Sequence, residues 1–157
     1  MMFAQKDFEI DPILAKPLMA HLSTVEKGEP RDSPVWFIWE ETYLWIFGTS
    51  ADSFVKRLQH EPRCAIGIVD FDLQQGILLH VGMRGLAQLF DVDHARLLRF
   101  LSKYLGKDRS TWNQWFIKHI VDPLNVMIKM HPKSIVAKDV SCFKNGPHSA
   151  SENGNGR

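Results

Sequence analysis

Short apolar segments separated by polar turns dominate this chain, and most follow the two-residue period of β-strands rather than the period of long helices. Residues 18–25 alternate well enough for a strand, and the polar residues 26–30 predict a turn after it. Aromatic-rich runs at 35–39 and 43–47 flank the polar residues 40–42 and predict a β-hairpin. The first third of the chain is therefore expected to form antiparallel strands.

The middle of the chain continues this strand pattern. Residues 63–70 are rich in β-branched side chains and predict a buried strand. Residues 77–90 predict a long strand, and Gly82 and Gly85 inside it indicate a bulge or a close backbone approach. A bent strand of this kind suits the corner of a barrel.

Two shorter strands and four helices complete the prediction. The strands are expected at residues 125–130 and 134–138, with a turn at 131–133. The helices are expected at residues 12–15, 50–60, 91–105 and 110–121, the first three capped by Asp11, by Ser50 or Asp52, and by Asp91 or Asp93. Six or seven strands with short helices predict a mainly β (α+β) fold, in which a small closed or split barrel removes exposed sheet edges.

Composition and charge narrow the class of protein. The 157 residues are enough for one domain with a hydrophobic core, and 45% hydrophobic with 24% charged residues is typical of a soluble globular protein. A net charge of +1 gives no broad basic field, so neither nucleic acid nor a membrane is expected as a partner. The sequence shows no signal peptide and no segment long enough to span a bilayer, so we expect a cytoplasmic protein.

The sequence also predicts the domain boundary, the state of the cysteines and whether a metal site is present. Residues 1–143 are expected to form the folded domain, and the Asn-, Gly- and Ser-rich residues 144–157 a disordered tail. Cys64 and Cys142 make no disulfide framework, and Cys64 is expected to be a reduced core residue. The seven histidines lack metal-ligand spacing, so no metal site is predicted. The catalytic residues stay unknown, as expected where a cofactor carries the chemistry.

The strand end at Gly48-Thr49-Ser50 is the strongest candidate for ligand binding. Hydroxyl groups and free backbone N–H groups at the start of the following helix suit a phosphate or another anion. A helix cap uses the same groups without any ligand, so both interpretations stay open on the pattern alone.

Five short motifs occur in order along the chain. They are Ala20-His21-Leu22-Ser23-Thr24-Val25, Ser33-Pro34-Val35-Trp36-Phe37, Phe47-Gly48-Thr49-Ser50, Leu58 followed by Pro62-Arg63-Cys64-Ala65, and Val81-Gly82-Met83-Arg84-Gly85-Leu86-Ala87. This series, over residues 10–140, resembles the FMN-binding split barrels of the pyridoxamine 5′-phosphate oxidase-like family. The resemblance implies a six-stranded antiparallel split β-barrel with short flanking helices, a homodimer, and two flavin sites at the dimer interface.

The resemblance also implies which residues bind the cofactor. The flavin ring would be lined by Ser33, Pro34, Val35 and Trp36. The phosphate would be held by the strand end and helix start from Thr49 to Lys56, which include Ser50 and Ser53, with Arg57 as a neighbouring cation. The family usually has a phosphate-binding lysine four residues before the helix leucine, but Phe54 occupies that position before Leu58. Either a neighbouring cation substitutes, or hydroxyl and backbone groups hold the phosphate alone, or the site has lost FMN.

The function implied by the resemblance is that of an FMN-dependent oxidoreductase, which passes a hydride to or from an unidentified small molecule. Pyridoxal phosphate synthesis is not expected, because the chain lacks the basic, tryptophan-containing C-terminal segment of true pyridoxamine phosphate oxidases. Two alternatives use the same fold: a deazaflavin-dependent reductase, and a non-catalytic haem- or flavin-binding, stress-related protein. In the haem alternative, His21 or His80 would be the axial ligand.

Overall fold

The computed structural model describes residues 2–141, which form an eight-stranded sheet with four α-helices and a 3-10 turn. The strands are β1 (Met2–Lys6), β2 (Ala20–Glu26), β3 (Glu29–Val35), β4 (Ile38–Glu40), β5 (Tyr43–Thr49), β6 (Arg63–Asp72), β7 (Ile77–Phe90) and β8 (Asn125–Asp139). The helices are α1 (Ile10–Leu14), α2 (Ser53–His60), α3 (His94–Leu105) and α4 (Gln114–His119), and the 3-10 turn is Arg109–Thr111.

The strands follow the order β3-β2-β6-β7-β8-β5-β4, and β1 also pairs with β8. The pairings are antiparallel except that of β1 with β8, which is parallel. This confirms the predicted mainly β, antiparallel split barrel with short flanking helices, although eight strands form where six were expected. The long β8 organises the sheet, because it pairs with β7 along one edge and with β5 and β1 along the other.

The sheet buries one face because its strands alternate. In β2, Ala20, Leu22 and Thr24 are buried, whereas His21 and Ser23 between them are exposed. The buried face packs with α1 and α2 into the main core.

A second, aromatic cluster packs α3 and the chain after it against Trp36 and Phe47. Tyr104 of α3 connects this aromatic cluster to the main core. Its hydroxyl donates to the carbonyl of Leu18 at 2.7 Å and accepts from the backbone N–H of Phe37 at 3.1 Å. The helix is thereby fixed against the segment that contains Trp36.

Gly85 lies at a bulge, as its place in the long strand predicted. Arg84 pairs with Ser134 but Gly85 pairs with Pro132, so Lys133 is an extra residue on β8. A Cβ atom on Gly85 would overlap the carbonyl oxygen of His131. Only glycine allows the two strands to approach this closely.

The predicted hairpin is confirmed, since β4 and β5 pair on either side of Glu41 and Thr42. Both residues have positive φ, at 56° and 64°, as tight hairpin turns require. The predicted single strand at 35–39 is wrong, however, because Val35 ends β3 and Ile38 begins β4. An unbroken apolar run does not reveal such a break.

Other boundaries also differ from the prediction. The turn expected at 131–133 is wrong: β8 continues through it, held by its long pairing with β7. The helix expected at 110–121 is wrong as a single unit, because Trp112 and Asn113 separate the 3-10 turn from α4. Asp11 lies inside α1 rather than at its cap. The pattern predicts neither β1 nor the polar edge strand β3, since both lack apolar alternation.

Cys64 is buried, and burial raises the pKa of its thiol to about 12, which keeps it protonated. Cys142 and the predicted tail at 144–157 lie outside the described residues. Within residues 2–141, no helix is both long and apolar enough to cross a membrane. The same residues contain no group of three or more side chains suited to hold a metal ion.

Candidate functional site

Helix α2 presents a polar face to a cavity of about 620 Å³ beside the β2–β3 turn, named here the cation cavity. Ser53, Lys56, Arg57 and His60 are three or four positions apart and therefore share one side of the helix. Val55 and Leu58 on the other side are buried in the main core. The cavity is lined by Val25, Glu26, Lys27, Gly28, Ser53, Lys56, Arg57, His60 and Glu61.

Two hydroxyl groups hold Arg57 in the wall of this cavity. Its Nε donates to Thr24 Oγ1 at 2.7 Å, and its Nη2 donates to Ser33 Oγ at 3.1 Å. Thr24 is buried, so the guanidinium satisfies a hydroxyl that would otherwise lose its hydrogen bonds to water. The structure thereby joins Ser33 and Arg57, two of the predicted cofactor residues.

The charges of this cavity are unbalanced. Within residues 2–141, neither Lys56 nor Arg57 forms an ion pair. The two glutamates in the lining have their own cations, since Glu61 pairs with Arg63 at 2.8 Å and Glu26 with an arginine of β3 at 3.7 Å. Lys56 and Arg57 are therefore free to bind an anionic ligand.

A second cavity, named here the aromatic cavity, lies on the other side of the α2 N-terminus. It has two adjoining parts of about 370 and 350 Å³. Both parts are lined by Phe47, Asp52, Phe100, Leu101 and Phe116. The first, the Trp36 part, adds Met19, Pro34, Val35, Trp36 and Phe54. The second, the His119 part, adds Gly48, Thr49, Leu97, Trp115, His119, Ile120 and Asn125.

Trp36 belongs to an aromatic stack as well as to the cavity wall. Its ring lies parallel to that of Tyr104, with centroids 4.4 Å apart and planes 3° apart, and stacks more loosely with Phe116 at 5.8 Å. Pro34 and Val35 line the same part of the cavity. The predicted ring-binding residues 34–36 are therefore together, whereas Ser33 faces Arg57.

The prediction of free N–H groups at Thr49 and Ser50 is wrong: both groups are bonded, and α2 begins at Ser53 rather than at Ser50. The N–H of Thr49 donates to Asp52 Oδ2 at 2.7 Å, and the N–H of Ser50 donates to the carbonyl of Leu124 at 2.9 Å. Asp52 is the residue before α2, but its carboxylate turns back to Thr49 instead of capping the helix. An anion bound at Thr49 would face this carboxylate.

The structure therefore divides the predicted site in two. Ser53, Lys56 and Arg57 line the cation cavity. Thr49 and residues 34–36 line the aromatic cavity, and so does Phe54, which occupies the position of the usual phosphate-binding lysine. Four residues of the two cavities were not predicted from the sequence. Lys27 and His60 line the cation cavity, and Asp52 and His119 line the aromatic cavity. No sequence motif marks these residues, because only the folding of the chain brings them there.

The fold and these cavities define a split-barrel protein with a candidate cofactor site. Residues 7–138 match the model of a family described as pyridoxamine 5′-phosphate oxidase, so the chain belongs to that family. Comparison with curated proteins gave no significant match.

Solved structures share the fold at low sequence identity. An F420 reductase is 23% identical, with a TM-score of 0.63 over 84% of this chain and 98% of that one. A conserved hypothetical protein from Mycobacterium tuberculosis is 17% identical, with a TM-score of 0.68 over 99% and 98%. A flavocytochrome from Azotobacter vinelandii is 19% identical, with a TM-score of 0.62 over 83% and 65%. The fold is thus one that flavin-related oxidoreductases use.

Proposed function

We propose that this protein is an FMN-dependent oxidoreductase that exchanges a hydride with a small molecule. The observation that carries the proposal is the pair Lys56 and Arg57, which has no carboxylate partner within residues 2–141 and lines a cavity beside Ser53. A phosphate monoester is the anion that this donor set fits, because a guanidinium, an ammonium and a hydroxyl all donate to phosphate oxygens. The proposal therefore assigns the phosphate to Ser53, Lys56 and Arg57 rather than to Thr49 and Ser50.

The flavin ring is assigned to the stretch Ser33 to Trp36. Arg57 donates a hydrogen bond to Ser33, the first residue of this stretch. The following residues, 34–36, line the aromatic cavity. Apolar and aromatic walls suit a flat ring and exclude water from it. A bound flavin supplies the hydride chemistry, and the protein binds and orients it. No residue is assigned a catalytic role.

The cofactor itself is the direct test. The purified protein should be yellow, and denaturation should release a compound with the mass of FMN. Protein stripped of cofactor should bind FMN more tightly than riboflavin, which has the same ring without the phosphate. Equal affinity for the two compounds would contradict the phosphate assignment, and binding of neither would contradict the flavin proposal.

Two other cofactors have support from the named structural neighbours, one of which is an F420 reductase and another a flavocytochrome. A deazaflavin would give an absorbance spectrum and a released mass different from those of FMN. Haem would give a Soret band; its ligand would be His21, whose Nδ1 lies 3.1 Å from Asp32, or His80 on β7. The spectrum of the purified protein separates the three cofactors.

We also propose that the protein acts as a homodimer with a small-molecule substrate. Exposed apolar side chains such as Phe71, Leu73 and Phe90 support an interface between two copies of the chain. Sedimentation equilibrium at micromolar concentration should give twice the 18.1 kDa chain mass. A monomer mass would contradict the dimer.

A further inference from the structure

We propose that the His119 part of the aromatic cavity binds a flat organic cation of the N-alkylpyridinium class. This inference goes beyond the flavin proposal and does not depend on it. It rests on three features of the cavity: its aromatic walls, an uncompensated carboxylate, and a histidine acceptor beside them.

Four aromatic side chains line this part of the cavity: Phe47, Phe100, Trp115 and Phe116. Phe47 and Phe100 lie with ring centroids 4.7 Å apart, and Trp115 and Phe116 meet edge to face at 5.0 Å. The cavity volume of about 350 Å³ is enough for a ligand with one ring. Aromatic faces attract cations through their quadrupoles, and they stack with flat rings.

Asp52 gives this cavity a negative charge. No lysine or arginine is among the residues that line it, and Asp52 forms no ion pair within residues 2–141. Its Oδ2 accepts the N–H of Thr49, which leaves other acceptor positions on the carboxylate. A cation that contacts aromatic rings next to a carboxylate is stabilised by both, whereas an anion is repelled by the carboxylate.

His119 adds a hydrogen-bond acceptor. Its ring stacks on Trp115 with centroids 4.3 Å apart, and its Nδ1 lies 2.7 Å from the carbonyl oxygen of Trp115. Because a carbonyl only accepts, Nδ1 carries the hydrogen, and in that tautomer Nε2 is an acceptor. A carboxamide N–H on the ligand ring would suit this acceptor.

A series of three ligands of nearly equal size and different charge tests the proposal. They are 1-methylnicotinamide, a cation; nicotinamide, which is neutral; and nicotinate, an anion. Binding to the full-length protein is followed by quenching of tryptophan fluorescence and checked by calorimetry. We expect the cation to bind at least about tenfold more tightly than the anion, with the neutral compound between them. Equal affinities, absence of binding, or preference for the anion would overturn the proposal.

Asp52→Asn removes the charge while its side-chain oxygen can still accept the N–H of Thr49. We expect this variant to bind the cation about tenfold more weakly and nicotinamide nearly unchanged. The control is Asp91→Asn, which makes the same charge change on an exposed residue outside the cavity and should alter neither affinity.

Trp115→Leu tests the same site without touching the carboxylate. Trp115 is 57% exposed, so the loss of its ring should leave the fold intact. It should weaken the binding of both the cation and nicotinamide. Unchanged cation binding in both Asp52→Asn and Trp115→Leu would place the ligand elsewhere and overturn the assignment. FMN affinity measured on the same variants distinguishes failure of this proposal from failure of the flavin proposal.

Discussion

The guanidinium of Arg57 donates to the hydroxyl of Ser33 over 3.1 Å, and so joins residues that are 24 positions apart in the chain. The same guanidinium holds the buried Thr24 at 2.7 Å. Arg57 therefore has a structural role, to which the proposed function adds phosphate binding through its charge. Tests of the second role have to control for the first.

Replacing both Lys56 and Arg57 by alanine should weaken FMN binding by at least about tenfold, because each charge-assisted contact to phosphate contributes roughly 1.5–3 kcal/mol. Riboflavin should bind equally to both proteins. Flavin fluorescence quenching measures both affinities. Lys107→Ala with Lys118→Ala is the matched control, since these are exposed cations outside the cation cavity.

Arg57→Lys complements the double variant, because it keeps the charge but loses the two-hydroxyl geometry. If FMN affinity depends on the positive charge at position 57, this variant should retain most of the preference for FMN over riboflavin. Melting temperatures of all variants report the structural effect separately. Unchanged FMN affinity in a folded double variant would mean that the two cations only face solvent.

Gly85→Ala should lower the free energy of unfolding by about 3 kcal/mol or more, because the new methyl group overlaps the backbone at His131. Gly67→Ala on the neighbouring strand β6 is the control. A Cβ atom there meets nothing within 4 Å, so its effect should stay within about 1 kcal/mol. Chemical denaturation measures both variants, and equal effects would disprove the close approach.

Lys103 makes the stability of the protein depend on pH. Burial lowers the pKa of its ammonium from 10.5 to about 7, while its Nζ donates to the carbonyls of Leu14 at 2.8 Å and Phe37 at 2.9 Å. A neutral amine still has two hydrogens for these bonds. Between pH 7 and pH 10.5 the unfolded chain therefore binds a proton at this residue that the folded chain does not.

This difference makes the contribution of Lys103 to the free energy of unfolding rise with pH across that window and level off beyond its ends. Lys103→Met removes the titrating group but keeps a long side chain. Chemical denaturation gives the free energy of unfolding of both proteins at each pH. The difference between parent and variant isolates the contribution of Lys103. A flat difference from pH 7 to pH 10 would show that the folded lysine stays charged.

Deletion of residues 145–157 should leave the melting temperature and the cofactor content unchanged. This segment has too few apolar residues to offset the entropy of ordering it. Differential scanning calorimetry and the flavin absorbance of the purified protein provide the two measurements. A drop of several degrees would show that the segment packs on the domain.

The sequence by itself determined the local structure wherever its period was clear. The hairpin at 40–42, the long strand 77–90 and the helix cap at Asp91 or Asp93 were predicted from the sequence, and the structure selects Asp93. The hairpin and the helix cap depend on contacts within a few residues, which a single sequence displays directly. The bulge was indicated by the glycine itself, although its partner Pro132 lies far along the chain. The ordered motifs also predicted the split barrel and its family.

Only the tertiary structure decided the continuity of β8, the parallel pairing of β1, and the division of the site. Strand β8 passes through Pro132 because β7 supplies partners on both sides of the bulge, and this pairing is invisible in the sequence of β8 alone. Likewise, a helix starting at Ser50 would leave free N–H groups there, but α2 begins at Ser53. The N–H groups of Thr49 and Ser50 are bonded instead to Asp52 and Leu124. Ser53 and Phe54 are adjacent in sequence, yet they face opposite cavities, because neighbouring residues of a helix point about 100° apart.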